Sequence, residues 1–260
     1  MNEPTELVDY NIQRQLAADV LTKAGDRAAG MRRKDSATTN ASDVSELIQS
    51  EVSTALKRIF PTYGMLSRKT EQREEAEFVW VLDPIDGETN YSRGLPLWGL
   101  SLALLHRNQS VVGVITIPDN HETYSASLNG KAYRNGAPIA VNEKRALKDA
   151  IVAITWGKNE AQRSKIMNAA NVLVPKTSDV LSVGASSVAL SWLAAGKVDA
   201  VVDTGDIWDF AAGFLIAKQM GAIVTEWDGS RPTYREHDFF TLVSTNQELH
   251  DSLVQSLKNS

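Results

Sequence analysis

Eight residues, Asp83-Pro84-Ile85-Asp86-Gly87-Glu88-Thr89-Asn90, set two carboxylates three positions apart directly after the apolar run Phe78-Val79-Trp80-Val81-Leu82. Carboxylates held that close repel each other unless positive charge lies between them, and a divalent cation bound by oxygen is the natural partner. Gly87 lets the backbone pass close to a ligand. The same residues would also make an Asx-type turn with no ligand at all. The apolar run reads as a buried strand, and Asp83-Pro84 predicts its end, because proline fixes φ and donates no hydrogen bond.

Far downstream, Trp208-Asp209-Phe210-Ala211-Ala212-Gly213 opens a helix with an acid and a run of small residues. Free amides and the helix dipole would hold Asp209, which by itself is only a cap. Small residues would let that helix approach the turn at Asp83 closely.

Read together, and with Tyr91 added to the first, the two stretches resemble the inositol monophosphatase family of metal-dependent phosphatases. Its signature is an Asp-Pro-(Ile or Leu)-Asp-Gly-Thr turn with a distant Trp-Asp-x-Ala-Ala-Gly helix start. The resemblance runs over nearly the whole chain. It implies a layered αβαβα sandwich of the inositol monophosphatase and fructose-bisphosphatase type, an α+β/α/β fold. It also implies Mg²⁺ held by Asp83, the Ile85 carbonyl, Asp86 and Asp209, in-line attack by a metal-activated water on a small phosphate monoester, and a homodimer. Asp86 and Glu88 stand nearest the chemistry. The Gly87-Glu88-Thr89 amides, Gly184, Asp203 and Asp209 are the expected substrate contacts. Asn90-Tyr91-Ser92-Arg93-Gly94-Leu95-Pro96-Leu97-Trp98 is similar to the histidinol-phosphate phosphatase branch of the superfamily, with Arg93 a candidate contact to phosphate, to a second subunit or only to its own loop.

The chain departs from the family at a telling place. Relatives carry a Gly-Glu-Glu whose last acid binds metal and helps orient the attacking water; here the matching residues are Ser67-Arg68-Lys69. A cation there repels Mg²⁺ instead of binding it. The family threonine after Asp-Gly is replaced as well, by Glu88, which as a carboxylate on the metal-binding turn is a candidate to take over as ligand or general base. Glu71, Glu74 and Glu75 are alternative donors. A catalytically weak paralogue that binds a phosphorylated ligand is the competing expectation.

Other readings bound the function further. The 260 residues are 43% hydrophobic and 23% charged, an ordinary globular composition. A net charge of -5 argues against a nucleic-acid partner. The chain has no cysteine, so disulfides, thiolate sites and a cysteine nucleophile are excluded, which fits a reducing cytoplasm. Met1 to Lys23 has no apolar run long enough for a signal peptide or span, so a cytoplasmic protein without a membrane partner is expected. No P-loop and no Gly-x-Ser-x-Gly elbow occurs. His106, His121, His237 and His250 lack zinc spacing and are expected at the surface.

One domain or two closely joined halves is expected, in a single compact unit: 1–145 with the metal-binding turn and 146–260 with the Trp208-Asp209 helix. In the first, Val8, Ile12, Leu16 and Val20, widened by Leu21 and Ala24, predict an amphipathic helix ending near Gly25 to Gly30. Asp43 is the expected cap of a second helix, with Val44, Ile48, Val52 and Leu56 on its apolar face; by resemblance Asp43 also matches an acid near an additional metal. Trp98 to Leu105, Val111 to Ile117 and Thr123 to Ser127 predict an antiparallel meander, with tight turns at Asn129-Gly130 and Asn135-Gly136. The second half alternates: strand Ala150 to Thr155, helix Glu160 to Val172, strand Val180 to Val183, helix Ala185 to Ala195, strand Val198 to Val202, the Trp208 helix, strands Ala222 to Thr225 and Phe239 to Val243, and helix Gln247 to Leu257. Gly184-Ala185-Ser186-Ser187 offers helix-start amides to an anion.

Overall fold

The long apolar runs become strands covered on both faces. In chain order the first half forms α1 (Asn11–Lys34), α2 (Ala41–Ile59), β1 (Gly64–Ser67), β2 (Phe78–Asp86), α3 (Glu88–Ser92), β3 (Gly99–His106), β4 (Gln109–Ile117), β5 (Glu122–Ser127), β6 (Ala132–Arg134) and β7 (Ala137–Ile139). These strands make one seven-stranded sheet in sequential order, parallel at β1–β2 and an antiparallel meander from β2 onward. The second half adds β8 (Ile151–Ile154), α4 (Glu160–Leu173), β9 (Asp179–Ser182), α5 (Ser186–Ala194), β10 (Ala200–Gly205), α6 (Ile207–Gln219), β11 (Ile223–Glu226), β12 (Phe239–Ser244) and α7 (Gln247–Leu257). Its sheet runs β11-β12-β10-β8-β9, mixed in direction. The computed structural model describes residues 9–34, 40–70, 73–141, 145–234, 237 and 239–258.

Three apolar clusters stack these elements into five layers. Leu21, Ile48 and Leu56 of α1 and α2 pack on Trp80, Leu102 and Val114 of the first sheet. Val81, Ala103 and Ile115 on its other face meet Val188, Phe210 and Phe214 of α5 and α6, which in turn cover Val201 and Val243 of the second sheet. Val152, Val202 and Leu242 meet Ile166 of α4 and Leu253 of α7. The order is αβαβα, as the resemblance implies. α6 lies in the middle layer and is buried from Ile207 through Ala217, so its first turn, with Asp209, is fixed by both sheets.

Local chemistry sets the ends. Asparagine caps α2, α4 and α7: the side chains of Asn40, Asn159 and Asn246 accept from the amides of Ser42, Gln162 and Leu249, each cap typically worth about 1 kcal/mol. The β3–β4 hairpin turns through Arg107 and Asn108, both left-handed (φ 50° and 60°), as a two-residue hairpin of right-handed twist requires.

Several expectations are corrected. β2 does not stop at Pro84 but continues to Asp86, because its pairing with β3 is irregular between Asp83 and Asp86; proline is tolerated where the ladder is broken. α1 passes through Gly25 and Gly30, and Gly25 lies so close to Pro118 and Thr116 that a Cβ would meet both at 3.0 Å or less. The buried face of α1 is Arg14, Ala17, Leu21, Ala24 and Ala28, whereas Ile12 is 68% exposed; small side chains bring the helix close to the sheet. α2 starts at Asn40, not Asp43, which is exposed. Val8 and most of the loop before α2 lie outside the described residues. His250 is buried, between the hydroxyls of Ser244 (2.8 Å) and Thr225 (3.0 Å). Among the described residues no helix is long and apolar enough to cross a membrane.

Candidate active site

Asp83 and Asp86 end β2, and Asp209 stands in the first turn of α6. Each of the three offers a carboxylate oxygen, and these oxygens all lie within 4.8 Å of one another. All three residues are buried. Each carboxylate is oriented by backbone. Asp83 Oδ1 accepts from the Ile85 amide at 3.2 Å, so the Asx-type turn and the cluster coexist. Asp86 Oδ2 accepts from the Ser187 amide at 2.6 Å, which uses the start of α5 to hold a protein acid. Asp209 Oδ2 accepts from the Asp206 amide at 2.8 Å. Gly205 makes the last contact possible, since a Cβ there would fall on the Asp209 carboxylate.

The cations beside the cluster do not offset its burial. Burial pushes the Asp83 carboxyl well above its ordinary range, in spite of nearby Arg68. Burial and then the charge of Asp209 push Asp86 up as well, with the Ser187 hydrogen bond working the other way. Asp83 Oδ2 is buried without a hydrogen bond. Three converging carboxylates and an orphaned buried oxygen fit a hard divalent cation such as Mg²⁺.

The fourth expected ligand does not fit the same way. The Ile85 carbonyl accepts a hydrogen bond from Arg68 Nη1 at 3.1 Å. Arg68 Nη1 also lies 3.6 Å from Asp83 Oδ2, and its Nη2 lies 3.5 Å from Glu88 Oε2. Burial works against the Arg68 charge, but Asp83, Glu88, Asp209 and Asp86 outweigh it and hold the guanidinium firmly protonated. Lys69 Nζ pairs with Glu88 Oε1 at 3.1 Å. Glu88 is therefore engaged by two cations, and acting as a ligand or base requires it to leave them.

A cavity of about 210 Å³ opens beside the cluster, lined by Asp86, Gly87, Glu88, Thr89, Gly184, Ser186 and Asp209 among others. Gly87 sits at φ 84°, the left-handed conformation that starts α3 immediately after it. Asn90 ties this turn to the Gly184 loop, donating to the carbonyls of Leu97 (2.6 Å) and Val183 (2.9 Å). A larger cavity, about 740 Å³, lies elsewhere along Lys131, Arg134, Asp199 and Met220. Among the described residues its one acid, Asp199, is already taken by the Ile151 amide at 2.8 Å.

Other expected residues lie apart from the cavity. Asp203 is fully buried inside β10, which continues past it to Gly205, its Oδ1 accepting from Thr155 and from the Thr204 amide; a substrate group would have to displace these to reach it. Arg93 is exposed, Glu74 pairs with Lys57, Glu75 is exposed, and Glu71 lies outside the described residues.

Two cations on the cavity wall were not singled out from sequence. Lys158 Nζ lies 3.0 Å from Asp209 Oδ2 and 2.8 Å from Asp206 Oδ2. Arg163 lines the same wall and donates from Nε to the Gly157 carbonyl at 3.0 Å. Lys158 lies in the loop after β8 and Arg163 in the first turns of α4 that follows, and the loop after a strand end in the second sheet is the signal that could have marked Lys158.

Asp203 makes its own prediction. Burial raises its carboxyl to about 7, with the hydrogen bonds from Thr155 and Thr204 opposing. A carboxyl that holds its proton more tightly in the folded state stabilises the fold at low pH, and that contribution is lost as pH rises from about 4 to about 7. Asp203→Asn cannot ionise, so the melting temperature of the variant relative to the wild type is expected to be higher at pH 8 than at pH 5. A difference independent of pH would show that Asp203 does not titrate in this window.

The fold and the aspartate site define a class. The inositol monophosphatase family model matches residues 1–260, and the chain belongs to that family. Among its relatives, an inositol-1-monophosphatase of Mesorhizobium japonicum is 30% identical over 207 residues, 78% of this chain and 77% of that protein. A protein of Xylella fastidiosa named Nus factor SuhB is also 30% identical, over 192 residues, 73% of this chain and 70% of that one. The solved inositol monophosphatase of Anabaena superposes with a TM-score of 0.85 at 23% identity, covering 97% of each chain, which shows the shared fold.

Proposed function

We propose that this chain binds a small phosphate monoester at the cavity beside Asp83, Asp86 and Asp209 and hydrolyses it with Mg²⁺. The observation that carries the reading is the convergence of those three carboxylates from two distant segments, with Asp86 and Asp209 on the cavity wall. Asp83, Asp86 and Asp209 would hold the cation, which when bound neutralises phosphate charge and lowers the pKa of a bound water. The Ser187 and Asp206 amides keep two of these carboxylates aimed at one point. The first-turn amides of α3, at Glu88 and Thr89, have no acceptor within their own helix and suit phosphate oxygens. Arg68, Lys158 and Arg163 on the same wall add positive charge for a dianionic group. Inositol phosphate and histidinol phosphate are the substrate types to try first.

A second reading has its own support. Arg68 and Lys69 replace the acid pair that relatives carry beside the attacking water, and Glu88, the candidate substitute, is paired with both cations. This favours a catalytically weak paralogue that keeps the phosphate site as a binding site, and relatives named both as inositol-1-monophosphatase and as Nus factor SuhB are compatible with either role. Phosphate release from a panel of monoesters with Mg²⁺, paired with calorimetric binding of the same esters, separates the two. Release that needs Mg²⁺ supports the hydrolase; binding without release of any ester supports the paralogue.

A further inference from the structure

Arg68 does more than fill the position of a lost acid. It directly follows the short strand β1, and its amide donates to the Leu82 carbonyl at 3.1 Å, which fixes the backbone against the strand that carries Asp83 and Asp86. From there the guanidinium reaches back to three oxygens: the Ile85 carbonyl, Asp83 Oδ2 and Glu88 Oε2, at 3.1, 3.6 and 3.5 Å. A planar fork of donors on a carbonyl and two carboxylates satisfies the same kind of oxygen set that a hard cation would. Lys69 closes the outer side of this group, holding Glu88 Oε1 at 3.1 Å and the Ser42 hydroxyl at 3.1 Å.

We propose that the Arg68 guanidinium is a built-in cation that takes the place of one metal ion, so that the carboxylate cluster of this chain binds a single divalent cation, at Asp83, Asp86 and Asp209. The inference rests on the metal-binding reading proposed above and fixes its stoichiometry. Two features separate the two cation positions. The Ile85 carbonyl and Glu88 Oε2 face Arg68 at 3.1 and 3.5 Å, while Asp86 and Asp209 make no ion pair with it. Asp83 is shared, and its buried Oδ2 has no hydrogen bond, only the charge of Arg68 at 3.6 Å. That leaves it free to turn its lone pairs toward an ion on the aspartate side. Charge points the same way. Asp83, Asp86, Glu88, Asp206 and Asp209 carry five negative charges against four positive ones on Arg68, Lys69, Lys158 and Arg163, which one dication more than balances and a second would overload. Unlike a metal ion, a guanidinium brings no water to activate, but its remaining N–H groups on the cavity wall can still meet a phosphate oxygen.

The test is the number of Mn²⁺ ions bound per chain, measured on the full-length protein by equilibrium dialysis with electron paramagnetic resonance of free Mn²⁺. The wild type is expected to bind one, and Arg68→Glu, which restores an acid at this position, is expected to bind two. Because Arg68→Glu adds charge to a crowded site and can fail to fold, Arg68→Gln is measured alongside it. Loss of the neighbouring positive charge is expected to tighten binding of the first ion about tenfold or more. Two ions in the wild type, or Arg68→Gln with unchanged affinity, would overturn the inference while leaving the metal-binding reading intact. No ion in the wild type would overturn both.

Discussion

Asp209→Asn is expected to lower Mg²⁺-dependent turnover of a phosphate monoester by about a thousandfold or more, the order reached when a metal that stabilises several kcal/mol of developing charge is lost. The substitution is nearly isosteric. An asparagine side-chain oxygen can still accept from the Asp206 amide, so the start of α6 keeps its cap. What changes is charge. Three buried carboxylates repel one another in the metal-free protein, and burial with the charge of Asp209 already pushes Asp86 up. Removing one is therefore expected to raise the melting temperature of the metal-free protein while abolishing the rise that Mg²⁺ gives the wild type. A melting temperature that falls in the absence of metal would mean that the Asp209–Lys158 ion pair outweighs the repulsion among the carboxylates.

The largest effect on stability is expected at a residue with no chemistry. Gly113 in β4 lies against α6 so closely that a Cβ would run into the Ala212 carbonyl. The obstacle is backbone, so no side-chain rotation can relieve it. Gly113→Val would force the central helix off the sheet, a cost of about 3 kcal/mol or more from overpacking, or a drop of roughly 6 to 12 °C in melting temperature for a domain of this size. Since α6 carries Asp209, the variant is also expected to bind Mn²⁺ more weakly even where it remains folded. A melting temperature within 2 °C of the wild type would show that the helix can shift freely and that its position is not what fixes the site.

These two residues mark the limits of what could be read from sequence. Asp209 was legible because an acid followed by Ala-Ala-Gly at a helix start has no packing reason to pair with a distant Asp-x-x-Asp turn, and the resemblance supplied one. Gly113 was not, because a glycine inside Val111 to Ile117 has the same appearance whether it is tolerated or required. Apart from β10, which runs three residues past Val202 to Gly205, the alternating elements of the second half follow their apolar runs to within a residue or two, down to α7 at Gln247–Leu257, since each run is bounded by polar turns. The face of α1 did not follow the largest side chains. Close approach to the sheet selected Ala17, Ala24 and Ala28 over Ile12, a choice that hydrophobic periodicity weighs the wrong way. At the site, the reversal of charge at Arg68 and Lys69 stood out, but the direction the guanidinium takes, and the arrival of Lys158 from the loop after β8, depend on folding that no local pattern records.

The account turns on where cations sit among these acids. An anomalous-difference map from crystals grown with Mn²⁺ tests it most directly. One peak among Asp83, Asp86 and Asp209, with Arg68 still on the Ile85 carbonyl, is the predicted result. A peak at the Ile85 carbonyl with Arg68 displaced into solvent, or no peak at the three aspartates, would contradict it.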